Sequence, residues 1–499
     1  METESTMMPM TVQEVADAVG GRLTVSAGAA ADADTVVTCA VSDSRQVRPG
    51  AVFVAIAGER VDGHDFVGTA GEAGAAVALV NHEVDAPTAQ IVVDDTVAAL
   101  GALARRNIEL RRAAGDPFTI VGITGSVGKT TTKDMLSALL GDMGQTVAPV
   151  GSFNNEIGLP LTALKVGGRT RFLVAEMGAN HVGEIARLTT VAPPDIAVVL
   201  KVGVAHLGEF GSVERILEAK SEIVRGLVPG GLTILNADDE HVVTMGAIAP
   251  GEVLWFGVDA AAARDGGCSA QNIDVDGFDR PRFTLVTPDG ARTPVRLGIC
   301  GRHNVMNALA AASVAYRLGM TPERIGAVLG GLTRISPHRM AVSTVERGGA
   351  TFTLIDDSFN ANPDSMRAGL DGLRSWGDGE QARPFRIAVL GAMLELGENE
   401  TELHRGVGEY AVGSGVDAVV AVGRAQDPHV DALAEAVADG AKRAAAESGQ
   451  DGVSIDWVHD TDQADAVVTR LARDHADTVV LLKGSHVSGL SALAERWTV

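Results

Sequence analysis

The sequence predicts an α/β protein of three domains. Three observations carry that reading. The first is length: 499 residues exceed what one core supports, and three domains are the natural division. The second is alternation, because apolar strand-like runs and helical patterns follow one another over most of the chain. The third is a glycine-rich loop between a buried strand and a helix, at Gly122–Thr131. The expected divisions are a mixed α/β domain over 1–117, a parallel-sheet domain built on the glycine loop over 118–335, and a Rossmann-like α/β domain over 336–499.

The first block opens on Thr11, an N-cap for the helical pattern VQEVADAVG. Strand-like runs follow at 51–56 (AVFVAI), 75–80 (AAVALV) and 91–94 (IVVD). A polar helix is expected over 96–113, ended by the breaker Gly115-Asp116-Pro117. The second block begins with the strand FTIVGIT, the glycine loop and the helix KDMLSALLGDM. Further strands read off at 171–177, 195–203 and 232–238. Residues 251–300 differ, with short β segments that suggest a small antiparallel edge or insertion. The third block alternates again, through TFTLIDD, FRIAVLG, AVVAVG, VSIDWV and TVVLLKG, with the helix VDALAEAVADGAKRAAAE among them.

Composition narrows the function. Hydrophobic residues make up 46% and charged residues 21%, which suffices for packed cores. The formal net charge of −23 disfavours nucleic acid and anionic membranes as partners. No apolar run is long enough to span a bilayer, and the start METESTMMPM lacks the pattern of a signal peptide. Cys39, Cys268 and Cys300 stand far apart, without metal-ligand spacing. A soluble, acidic, multidomain protein of the cytoplasm is the expectation. Only seven of the 41 basic residues are lysines, so each one (Lys129, Lys133, Lys165, Lys201, Lys220, Lys442, Lys483) invites a question.

The sharpest motif is GITGSVGKTTT. It departs from the strict G-x-x-x-x-G-K-[ST] spacing, since Ile123 stands at the first glycine position. Gly122, Gly125 and Gly128 nevertheless let backbone N–H groups turn toward a polyphosphate. The helix N-terminus adds positive potential, Lys129 reaches the outer phosphates, and the Thr130 hydroxyl suits Mg²⁺. A nucleotide polyphosphate is therefore the expected ligand, with Thr124, Gly125, Ser126, Val127, Gly128, Lys129, Thr130 and Thr131 around it. Glu176 ends a predicted strand beside this loop, where an acid reads either as a metal or water ligand or as a surface acid. His206 follows another strand and Lys220 lies in a helical pattern; alone, such residues are more often structural or solvent-exposed. Asn154 and Asn155 form either a ligand site or an Asx turn. Asn304 reads as a cap, whereas Asn307 lies too far into its helix and needs another partner, such as a nucleotide. Arg339 sits at the second domain boundary, and Asp356 and Asp357 at a strand end followed by Asn360 and Asn362.

Taken in order, GITGSVGKTTT, SFNNEIGLPLT, AEMGANHVGEI, AHLGEFGS, EAKSEI, GRHNVMNALAA, PHRM and DDSFNANP resemble the motifs of the Mur ligases over essentially the whole chain. SFNNEIGLPLT and DDSFNANP resemble the branch that adds D-alanyl-D-alanine to UDP-N-acetylmuramoyl-tripeptide. SDSRQVRPGAVFVAIAGERVDGHDF resembles a UDP-sugar-binding first domain. The resemblance implies an ATP-dependent amide ligase of peptidoglycan synthesis that works through an acyl phosphate, a monomer acting on small molecules. It implies that Lys129, Glu176, His206 and Lys220 are catalytic, and that Thr130, Glu176, His206 and a carbamylated Lys220 hold Mg²⁺. It places Asn307, Arg339 and Asp357 on ATP. Ser44, Arg45, Gly63, His64, Asn154, Asn155, Asn360 and Asn362 fall on the other substrates, and the C-terminal domain is expected to close over a hinge at 333–340. Two positions depart from the pattern: Ala392 stands where relatives often carry an acid, and Phe359 where Tyr is common. The motif expected of the ligase adding diaminopimelate is absent. Nothing suggests a guanine-binding switch or a motor ATPase, which would hydrolyse ATP without a carboxylate acceptor.

Overall fold

The computed structural model describes residues 6–25, 29, 31–58, 61–203, 207–258, 267–377, 383–450 and 452–498. His206 lies outside them. Among the described residues, three large sheets are arranged in chain order. The first has five strands, ordered Arg22–Thr24, Ala89–Val92, Ala75–Val80, Ala51–Val54 and Cys39–Val41. Only the Arg22–Thr24 edge is antiparallel. Thr11 caps the opening helix Val12–Val19 with a full capping box to Glu14.

The second sheet has nine strands. Its parallel part runs Val253–Gly257, Leu232–Asn236, Ile196–Val199, Thr119–Thr124, Phe172–Glu176 and Thr146–Val147. Strand Cys268–Val275 joins in parallel, and Pro281–Val286 and Arg292–Arg296 then extend the sheet antiparallel, as the short β segments suggested. Strand Thr119–Thr124 lies between Ile196–Val199 and Phe172–Glu176, which follow it in sequence on opposite sides. That arrangement opens a crevice at the carboxyl edge, where open α/β sheets bind ligands. The strand expected over 195–203 stops at Val199. Leu200 still donates to the Thr124 carbonyl, but Lys201 then offers its carbonyl to the Ser126 amide, and the chain becomes a wall of the glycine loop.

The third sheet has six strands, ordered Ala341–Arg347, Ala350–Asp357, Thr478–Lys483, Phe385–Gly391, Ala418–Val422 and Ser454–Val458. The first of these was not foreseen. It pairs antiparallel with Ala350–Asp357 through Gly348-Gly349, both at positive φ (55° and 79°), the backbone of a tight two-residue hairpin. The Gly-Gly pair was the available signal.

Helix Thr96–Ala113 falls where expected, but it is not merely polar. It buries Leu100, Leu103 and Ile108 in a core shared with Leu159, Leu173 and Leu188 of the central domain. Its buried Asn107 donates to the Ala163 and Val166 carbonyls, and its buried Arg111 donates to the carbonyls of Thr170, Asp116 and Pro117. The helix therefore ties the first sheet to the second. No helix among the described residues is long and apolar enough to cross a membrane.

Candidate active site

A cavity of about 470 Å³ lies between the second and third sheets. The central part supplies Ser126, Val127, Gly128, Lys129, Thr130 and Thr131 from the glycine loop and the start of helix Lys129–Met143. The third supplies Arg339, Asp357, Phe359 and Lys483.

Gly125 and Gly128 have φ of 155° and 83°, which L side chains rarely adopt. The loop folds so tightly that the Lys129 ammonium donates to the Gly125 carbonyl at 2.7 Å. Desolvation in the cleft lowers the Lys129 pKa; Glu176 opposes the shift and Arg339 adds to it. Thr130 donates to Glu176 Oε1 at 3.3 Å and accepts from Arg339 Nη2 at 3.2 Å. Asn154 donates to the same Glu176 oxygen at 2.8 Å. It comes that close because residue 178 is glycine, where a Cβ would stand 2.8 Å from the Asn154 Cγ.

Among the described residues, two buried polar atoms here have no partner: Glu176 Oε2 and Arg339 Nε. Such atoms are costly unless something completes them. A free carboxylate oxygen beside a threonine hydroxyl fits a hard cation such as Mg²⁺. A free guanidinium N–H, with its plane over the Phe359 ring at 4.4 Å, fits an anion. Their juxtaposition suits a cation–polyphosphate pair. Among the described residues no cluster of three His, Cys, Asp or Glu side chains forms a ready-made metal site.

Asp357 ends strand Ala350–Asp357 and accepts a close hydrogen bond from Lys483, at the end of the neighbouring strand. Lys483 also donates to the Asn360 carbonyl at 3.3 Å. Sequence reasoning singled out Lys483 for its rarity and missed it as a cleft residue; its place at the end of TVVLLK was the signal. His303, Lys201 and Asp364 also line the cleft unforeseen, and Lys201 and Asp364 pair across it at 2.8 Å.

Several predicted residues have other work. The Thr124 hydroxyl donates to the Met177 carbonyl. Asn155 accepts from the Gly158 amide at 2.9 Å, an Asx turn that leads into helix Gly158–Ala163. Asn362 caps helix Pro363–Ser375, and the Asn360 side chain accepts from the Ala361 amide. Asn304 is not a cap but the first residue of its helix, with its side-chain amide donating to the Cys300 carbonyl. Asn307 donates to Asn304 and accepts from Thr132, which locks its helix against the glycine loop.

Lys220 lies outside the cavity lining, on helix Val213–Arg225, with 1% exposure. Among the described residues its ammonium has no hydrogen-bond or ion-pair partner; it lies over the Phe210 ring at 5.5 Å. Burial first, and then the charge of Lys129, lower its pKa to about 7 against the pull of Glu184 and Glu222.

Ser44, Arg45, Gly63 and His64 lie apart from this cavity. They follow the adjacent parallel strands Cys39–Val41 and Ala51–Val54, at the carboxyl edge of the first sheet. Arg45 is exposed and pairs with Asp43 at 2.8 Å, which lowers the Asp43 pKa to about 2. His64 has both ring nitrogens engaged, by Asp62 and by the Asn81 amide.

Three family models match the chain: "Mur ligase family, catalytic domain" over residues 37–113, "Mur ligase middle domain" over 123–315, and "Mur ligase, glutamate ligase domain" over 338–486. The UDP-N-acetylmuramoyl-tripeptide--D-alanyl-D-alanine ligase of Mycobacterium tuberculosis H37Rv is 41% identical, with 98% of each chain covered. The enzyme of the same name from Escherichia coli K12 is 36% identical, over 84% of this chain and 87% of the other. MurF from Acinetobacter baumannii has a similar structure, with TM-score 0.81, 31% identity and coverage of 98% and 99%. MurF from Thermotoga maritima, solved in complex with ADP, gives TM-score 0.71 at 29% identity, covering 92% and 96%. With the glycine loop, the Glu176 cluster and the two-domain cleft in place, and with these matches over the whole length, the chain belongs to the Mur ligase family.

Proposed function

We propose that this chain joins UDP-N-acetylmuramoyl-tripeptide to D-alanyl-D-alanine with cleavage of ATP to ADP and phosphate, a step of peptidoglycan synthesis. The observation that carries the chemistry is the pairing, across one cleft, of an unpartnered carboxylate oxygen on Glu176 with an unpartnered guanidinium N–H on Arg339. The relatives' names supply the substrates.

A carboxylate is a poor electrophile. Its oxygen attacks the γ-phosphorus of ATP, the bond to ADP breaks, and an acyl phosphate results. The amine of D-alanyl-D-alanine then attacks the carbonyl carbon, phosphate leaves, and the nitrogen loses a proton. Two anions must meet in the first step, so cations must surround them. Lys129, at the glycine loop, and Arg339, bonded to the Thr130 hydroxyl, line the same cleft to do so. Glu176 and Thr130 would hold Mg²⁺, with His206 and a carbamylated Lys220 completing its environment; Mg²⁺ when bound supplies Lewis-acid screening of the phosphates. Asp357, held by Lys483, lines the cleft from the third domain, where it would face the nucleotide. Gly63, His64, Ser44 and Arg45 bound the UDP end, through backbone groups and Arg45 rather than through the His64 ring. Asn154 orients Glu176. We assign the domains as 1–117, 118–335 and 336–499, acting as a monomer in the cytoplasm, where ATP and the UDP-linked precursor meet.

The test is phosphate release by purified protein with ATP, Mg²⁺, UDP-N-acetylmuramoyl-tripeptide and D-alanyl-D-alanine, with each omitted in turn. Release that needs every component, with a product heavier by one dipeptide residue pair, is the expected result. Release indifferent to both acceptor substrates would overturn the reading.

A further inference from the structure

Lys133 stands one turn beyond Lys129 on helix Lys129–Met143, and only 2% of its side chain is exposed. A buried ammonium must place all three N–H donors. Lys133 does so on three segments: Asp134 Oδ1 at 2.6 Å, the Pro149 carbonyl at 3.1 Å and Ser336 Oγ at 3.1 Å. Asp134 in turn accepts from the Ser336 backbone amide at 2.8 Å and from its hydroxyl at 3.1 Å. Ser336 is thus held by backbone and side chain to the helix that carries Lys129 and Thr130.

Just beyond Ser336 the chain changes allegiance. His338 and Met340 have φ of 59° and 50°, an uncommon backbone for residues with a Cβ. His338 already pairs with Asp356 of the third sheet, Nδ1 to Oδ2 at 2.8 Å. Between them Arg339 reaches back to Thr130.

We propose that Lys133 and Asp134 are positioning residues that clamp Ser336 as the fixed end of the hinge. The third domain then pivots over residues 337–340 only, and each closure returns Arg339 to the same place beside Thr130. The catalytic readout of this proposal rests on the ligase reading; ADP binding and solution shape do not.

The experiment compares wild type with Ser336→Ala, Ser336→Thr and Lys133→Met. It measures kcat, the Kd for Mg-ADP, and small-angle scattering with and without Mg-ADP. Wild type should compact on binding. Ser336→Ala should bind Mg-ADP within about threefold of wild type, compact less, and lose about tenfold or more in kcat, the scale on which small misplacements act. Ser336→Thr should restore both. Lys133→Met removes the buried charge, and if it folds it should behave like Ser336→Ala. If it does not fold, Ser336→Ala decides. A Ser336→Ala protein that compacts and turns over like wild type, even with a lower Tm, overturns the proposal, as does wild type that fails to compact. If wild type makes no product, the ligase reading fails, and the scattering of wild type against Ser336→Ala still decides the hinge.

Discussion

At Gly128 the backbone has a φ of 83°, and an added Cβ would stand 2.3 Å from Asn307 Oδ1. Neither fault can relax alone, because Asn307 is held by Asn304 and Thr132. Gly128→Ala should therefore cost about 1–3 kcal/mol of stability and abolish detectable ADP binding by calorimetry; retained affinity would show that the loop is looser than this packing implies. Lys220 poses a different question. An ammonium buried over Phe210 with a pKa near 7 is substantially neutral at physiological pH. A neutral amine can attack carbon dioxide, forming an N–C bond and releasing a proton. A carbamate carbon resonance should thus appear with ¹³C-bicarbonate and grow as pH rises through about 7, and be absent in Lys220→Arg. No such signal from folded protein at pH well above this value would remove Lys220 from the metal-holding set.

The antiparallel extension of the central sheet carries a second buried group. Asp279, in the turn between strands Cys268–Val275 and Pro281–Val286, is 2% exposed and has one oxygen without a partner among the described residues. It packs on helix Pro363–Ser375, where only a glycine at 372 admits it: a Cβ there would stand 2.6 Å from Asp279 Oδ2. Phe278 beside it meets Trp376 edge to face at 5.7 Å. Burial, aided by Asp276 and opposed by backbone N–H groups of residues 301–302 and by Arg302, raises the Asp279 pKa to about 6. The folded chain then binds this proton more tightly than the unfolded chain. Stability from this group is complete at low pH and falls as pH rises from about 4 to about 6. The full loss is about 3 kcal/mol. Asp279→Asn keeps the shape and tolerates the positive φ of 53°. Urea melts at neutral pH should show it more stable by about 1–3 kcal/mol, with a flatter pH profile across that window. A variant less stable than wild type at neutral pH would mean that the carboxylate is ionised and satisfied.

On the scale of the whole molecule, a chain of net charge −23 must receive anionic substrates. It does so by gathering Lys129, Lys201, Arg339 and Lys483 around one cleft. Lys201 also bridges the cleft to Asp364, but both side chains are about 40% exposed, so the pair is worth about 0–1 kcal/mol. Asp364→Ala should accordingly weaken ATP-analogue binding by no more than about fivefold; a loss of a hundredfold would mean that the pair is buried by further closure. The buried contacts around Ser336 and Asp279 are the stronger candidates for setting how the domains meet.

Much of this was legible in residue order. The glycine loop, the strand–helix alternation and Thr11's N-cap depend on spacing along the chain, and local sterics dictate them. Glu176 and Asp357 were legible too, because acids at predicted strand ends fall at the edge where ligands bind. Partnerships were not. Asn155 and Asn362, read as substrate contacts, also accept from backbone amides, Asn155 in a turn and Asn362 as a helix cap. Thr124, His64 and Asn307 read like contacts but are bonded to protein groups. Lys133 and Lys483 read only as scarce lysines, and helix Thr96–Ala113 as polar. A side chain with two or three polar atoms can be satisfied by whatever lies within about 3 Å. What lies there is fixed by segments distant in sequence, as with Ser336 for Asp134 or Thr170 for Arg111. The sequence by itself determined the elements and the kind of chemistry. Only tertiary structure decided which polar atoms were left free for it, because satisfaction depends on neighbours in space.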